Sequence, residues 1–137
     1  LSVGAGYGKI ANAGAGTNGS DTDEHMTAYA TYTTGGVTIG YQESVVGDGT
    51  DGGTQEYAQD WAIAANIMEG LSVSYGEREI EHAKVSAAHV VEDQEGVSVA
   101  YTMGSATIAL ANNETTNNGG TAGTNDENTE IRLSLAF

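Results

Sequence analysis

The chain has 137 residues, with nineteen Asp and Glu against four Lys and Arg, a formal net charge of -15, twenty Gly, and no Pro or Cys. So acidic a chain excludes nucleic-acid binding, which needs a basic face, and the missing thiol excludes disulfides, thiolate metal sites and cysteine nucleophiles. At 39% hydrophobic it is lean for a globular core, yet it is not a disordered acidic tail.

Alternation with period two runs through the chain and predicts eight strands. The first covers Leu1 to about Ile10, with Leu1, Val3, Ala5 and Tyr7 on one face and Gly4, Gly6 and Gly8 on the other. The second, about His25–Thr34, places Met26, Ala28, Ala30 and Tyr32 together. The third, about Val37–Val45, alternates Val37, Ile39 and Tyr41 with Thr38, Gly40 and Gln42. The fourth, about Gln55–Ile67, sets Tyr57, Trp61, Ile63, Ala65 and Ile67 against Glu56, Asp60 and Asn66. The fifth, about Leu71–Glu81, sets Leu71, Val73 and Tyr75 against Ser72, Ser74 and Gly76. The sixth ends near Thr102, and the seventh covers about Ala106–Asn112. The last, Thr129–Phe137, places Ile131, Leu133, Leu135 and Phe137 opposite Glu130, Arg132, Ser134 and Ala136.

Residues 35–36, 68–70 and 103–105 read as hairpin turns. Residues 11–24, 46–54, 84–94 and 113–128 read as longer connections rich in Gly, Asn, Thr and Asp. Short and long connections alternate, so consecutive antiparallel strands put every tight turn at one end. A weak repeat relates Tyr32-Thr33-Thr34-Gly35-Gly36-Val37-Thr38-Ile39 to Tyr101-Thr102-Met103-Gly104-Ser105-Ala106-Thr107-Ile108, a recurring hairpin unit.

A soluble sandwich fills a core about 10 Å thick with large inward residues. Here the polar face is built from Gly, Ser, Thr and Ala with scattered charges. A membrane barrel instead turns apolar residues to lipid and polar residues to a wet lumen, with aromatic girdles at both interfaces. Tyr32, Tyr101 and Phe137 are expected at the tight-turn end, and Tyr7, Tyr57 and Tyr75 toward the long-loop end.

The stretch Glu130-Ile131-Arg132-Leu133-Ser134-Leu135-Ala136-Phe137 resembles the closing strand of bacterial outer-membrane barrels. With the hairpin units and the acidic Gly/Asn-rich loops, the whole chain resembles the C-terminal half of a Gram-negative general diffusion porin. That resemblance implies an all-β antiparallel transmembrane barrel segment, about eight of sixteen strands, in the bacterial outer membrane. It further implies a trimer, lipid and lipopolysaccharide as neighbours, a missing N-terminal half, and Phe137 as part of the assembly signal. Family members run about twice this length, and no counterpart of their constriction loop is visible. An eight-stranded barrel has an interior just wide enough for side chains to fill. The small inward residues suit a wider lumen, so part of a larger barrel is expected.

The inward set is then Gln42, Glu56, Asp60, Ser72, Arg78, Glu130 and Arg132, acidic on balance, which predicts a weakly cation-selective passage for small hydrophilic solutes. The acidic groups Asp21, Asp23, Glu24, Asp48 and Asp51, with Asp126 and Glu127, offer oxygen ligands for Ca²⁺ or form solvated loops. Bridging of these loops to lipopolysaccharide by divalent cations follows only from the resemblance. Gly14-Ala15-Gly16-Thr17-Asn18-Gly19 matches G-x-G-x-x-G, but no helix pattern follows it. His25, His82 and His89 lack metal-ligand spacing. No nucleophile or acid/base set emerges, so no enzyme is expected and no cofactor is required. The alternative is an acidic, Ca²⁺-binding secreted or surface β-protein with a structural or adhesive role.

Overall fold

In the computed structural model, residues 1–12, 21–47, 55–83 and 89–136 are described. They form eight strands: β1 (Ser2–Asn12), β2 (Asp21–Thr34), β3 (Val37–Gly47), β4 (Gln55–Met68), β5 (Leu71–Ala83), β6 (Val90–Met103), β7 (Ala106–Thr116) and β8 (Asp126–Leu135). Each strand pairs antiparallel with its neighbours in sequence, giving one sheet in the order β1 to β8. Among the described residues β1 and β8 do not pair, so the sheet is not closed. A short 3-10 turn, Asn118–Gly120, follows β7.

The tight turns form where their residues allow it. Gly35 and Gly36 have φ of 54° and 83°, as a two-residue turn of the hairpin-favoured primed kind requires. Gly104 takes φ 61° in the β6–β7 turn. The two repeated hairpins share a detail that sequence alone could not give. A hydroxyl hydrogen bond closes each turn, Thr33 with Thr38 and Thr102 with Thr107, both at 2.9 Å.

The strands run further than their alternation suggested, and this corrects the bounds of all four long connections. Residues 11–12 belong to β1, residues 21–24 to β2 and residues 46–47 to β3. Residues 90–94 open β6, residues 113–116 complete β7 and residues 126–128 open β8. Carboxylates such as Asp93, Glu114 and Glu127, expected in loops, therefore stand on paired strands.

Directly opposed residues share a face of a sheet. One face collects Val3, Met26, Ile39, Ile63, Val73, Val99, Leu110 and Ile131 through consecutive pairs. Of the exposed large hydrophobic residues in strand pairs, only Ile10 and Tyr29 lie on the other. Measured from the tight turns, the apolar stretch runs from Val37–Tyr41 on β3 to Met26–Thr34 on β2. That is five to nine residues, or roughly 17–30 Å at about 3.3 Å per residue. The opposite face carries Gly6, Thr27, Gly40, Ala62, Ser74, Ser98, Ala111 and Glu130.

This sheet has no core. Ala58 is the only buried hydrophobic residue among those described. The exposed surface is 9325 Å², whereas a folded monomer of this mass exposes roughly 6,700 Å². A single layer leaves both faces open.

Candidate functional site

The candidate site is the polar face. Its central row crosses four strands in register: Gln42 on β3, Asp60 on β4, Arg78 on β5 and Gln94 on β6. Asp60 and Arg78 form an ion pair at 3.2 Å. Small residues lie toward the tight turns, where Ser74 and Ser98 share a hydrogen bond at 2.7 Å. The row borders a trough of about 680 Å³ that reaches from Thr31 and Gly40 to Asn113.

The register places all seven residues expected to face inward on this one side. Glu56 pairs with His82, Ser72 with Ala100, Glu130 with Ala111 and Arg132 with Ala109. Arg132 Nη2 meets Glu130 Oε1 at 2.7 Å, two residues along the same strand.

At the long-loop end of this face the groups converge more tightly. The His82 ring lies between Glu56, at 3.3 Å from Nδ1, and Glu92, at 3.1 Å from Nε2. Glu92 is the buried charged residue among those described. It also accepts hydrogen bonds from Gln94 Nε2 at 2.6 Å and from the Gly119 N–H at 2.8 Å. Glu92 lies five residues beyond Val97, outside the apolar stretch of β6. Burial pushes its carboxyl up, but the bonds from Gln94, His82 and Gly119 outweigh burial and hold it below the usual carboxylate range. The sequence alone reads Glu92 as part of the 84–94 connection and gives His82 no partner. Ten residues separate them, and only the β5–β6 register joins them.

The apolar face ends in an aromatic and acidic border. Tyr41 pairs with Trp61, Trp61 with Glu77, Glu77 with Glu95, Glu95 with Glu114 and Glu114 with Glu127. Trp61 Nε1 donates to Glu77 Oε2 at 2.9 Å, and the Tyr41 hydroxyl donates to Glu43 at 2.6 Å. The Tyr75 hydroxyl donates to Glu77 and to Glu95, and its ring meets Trp61 edge-on with centroids 5.5 Å apart.

The six aromatics expected at the borders are placed unevenly. Tyr32 and Tyr101 lie beside tight turns, Tyr7 pairs with Met26, and Tyr75 pairs with Ile63 and Val97 inside the apolar stretch. Tyr57 lies beyond the first carboxylates, paired with Val45 and Glu81. Phe137 lies outside the described residues. Tyr41 and Trp61, missed in the sequence, occupy the border itself. Their position follows from the offset between successive hairpins, which alternation within one strand does not reveal.

The acidic set proposed for Ca²⁺ divides between faces. Asp23 pairs with Ile10, while Glu24 pairs with Lys9 on the other side at 2.5 Å; the backbone of Asp21 pairs with that of Asn12. Asp48 and Asp51 lie outside the described residues. Among the described residues no three His, Cys, Asp or Glu group as a metal would need. No helix is long and apolar enough to cross a membrane, which says nothing about crossing by strands.

No protein family, curated protein or solved structure matches this chain.

Proposed function

We propose that the chain is a segment of an outer-membrane β-barrel whose polar face lines a water-filled passage. Small hydrophilic solutes and ions would cross by passive diffusion with weak cation preference. One observation carries this reading: a single-layer sheet exposes a continuous apolar face, bordered by aromatics and carboxylates, back to back with a face of small polar residues. An apolar sheet face must be covered, by another layer or by lipid. Unpaired edges cannot lie in lipid, so β1 and β8 take further strands, which this reading assigns to the remaining half of a sixteen-stranded, trimeric porin. Divalent cations such as Ca²⁺ would bridge the acidic long-loop end to lipopolysaccharide. No reacting group is needed; size and charge select.

Extraction of the native protein tests this. The expected outcome is partition with outer membranes, release only in detergent, and anomalous gel migration unless boiled. A protein soluble without detergent would defeat the barrel and favour the acidic surface β-protein.

A further inference from the structure

The β7–β8 connection folds on itself. Asn117 takes φ 53°, its side-chain oxygen accepts the Gly123 N–H at 2.9 Å, and the Asn118 N–H donates to Thr124 O at 2.8 Å. This turn ties back to β6, across β7, rather than standing clear of the sheet. Asn117 Nδ2 donates to Val91 O at 2.8 Å, and the Gly119 N–H donates to Glu92. Gly120 is buried against His82, and a Cβ there would come within 2.7 Å of the ring. The turn therefore rests on the polar face at its long-loop end.

His82 can hold that arrangement in one protonation state better than in the other. A neutral imidazole has one N–H, so it donates to Glu56 or to Glu92 but not to both. With two protons it donates to both and places a positive charge between two carboxylates. We propose that His82 is a proton-controlled pin: doubly protonated, it fixes Glu92 and, through it, residues 117–125 over the polar face. Losing that proton removes one of the ties and loosens the segment. That this regulates flow rests on the pore reading; the pin itself does not.

The charged groups facing His82 are Glu56 from β4 and Glu92 from β6, joined by the Gln94 amide. The 117–125 turn presents backbone N–H groups and glycines. Glu81, adjacent on β5, pairs with Tyr57 on the opposite face. The sign follows. Only the doubly protonated ring donates to both carboxylates, so the pin tightens as pH falls. Because the Glu92 carboxyl is held down, the tie persists through the usual carboxylate range and is lost only as pH falls further, when Glu92 itself protonates.

The chain has no cysteine, so Thr121→Cys gives a unique spin-label position on the exposed turn. In the full chain in lipid vesicles, the immobilised fraction should be several-fold larger at pH 5.5 than at pH 8. His82→Gln should abolish that difference. Gly120→Ala, which pushes a methyl into the ring at φ 69°, should leave the label mobile at both pH values. Conductance in planar bilayers, read in parallel, should fall at pH 5.5 in the parent and not in His82→Gln. A responsive label without conductance would sink the pore reading and leave the pin standing. A parent label equally mobile at both pH values, or a response kept by His82→Gln, overturns the pin.

Discussion

Gly70 shows how one residue holds two hairpins together. It takes φ 76° in the β4–β5 turn, next to the register shift between Asn66 and Met68. Its carbonyl accepts the Thr102 N–H of β6 at 2.7 Å, and a Cβ at this position would come within 2.3 Å of the Thr102 carbonyl oxygen. Backbone cannot step aside as the end of a side chain can. Gly70→Ala should therefore cost about 2–3 kcal/mol, from left-handed strain of roughly 1–2 kcal/mol plus the disturbed bond to β6. Gly104→Ala, at φ 61° with nothing within 4 Å, should cost only the strain. Urea unfolding in detergent, followed by Trp61 fluorescence, checks both, and equal losses would deny the Thr102 contact. Such residues also mark where sequence reading stops. Gly70 is legible as a turn glycine, but its contact with β6 is not. Glu92 is legible as an acid, but the bond it accepts from the Gly119 N–H, 27 residues away, is not.

At the scale of the strand, alternation was a sufficient guide to which residues share a face, except across the register shift between Asn66 and Met68, because the period is two in any regular register. It was a poor guide to where a strand ends. Outward carboxylates break the apolar pattern at Glu43, Glu77 and Glu95, yet the backbone ladder continues past them. β8 tests what the apolar face meets. All ten of its residues are exposed, and Leu133 lies between Ile131 and Leu135 on the apolar side, opposite Ile108. If that side faces hydrocarbon, Leu133→Arg should cost about 2–4 kcal/mol. Ser134→Arg, one residue on and facing the polar side, should cost less than about 1 kcal/mol. Unfolding of the full chain in lipid vesicles measures the pair. Near-equal, small effects are what a water-exposed surface would give, and they would reject lipid on that side.

Over the whole molecule, charge is sorted by face as well as by height. The polar side presents Asp23, Glu56, Asp60, Glu92, Asp126 and Glu130 against Arg78 and Arg132 among the described residues. The -15 of the composition is thus not confined to loops, as the strand bounds already showed. Because strand number is even, β1 and β8 run antiparallel, and an even number of added strands closes the sheet with every pair antiparallel. Small side chains across the polar side would keep such a ring open to water. Within it the Asp60–Arg78 pair, at 3.2 Å, sits in the central row and sets the sharpest local charge test. A unit charge about 5–10 Å from a passing ion in water-like surroundings is worth roughly 0.4–0.8 kcal/mol. Asp60→Asn removes an anion and leaves Arg78 without it; the effect on a cation and on an anion has opposite sign, so the cation-to-anion permeability ratio should fall about four- to fifteenfold. Arg78→Gln should raise it by a similar factor, and both effects should shrink in concentrated salt. Reversal potentials across planar bilayers under a salt gradient read the ratio. Opposite shifts in the two variants place the row beside the permeating ion; the same shift in both, or none in either, would remove it from the path.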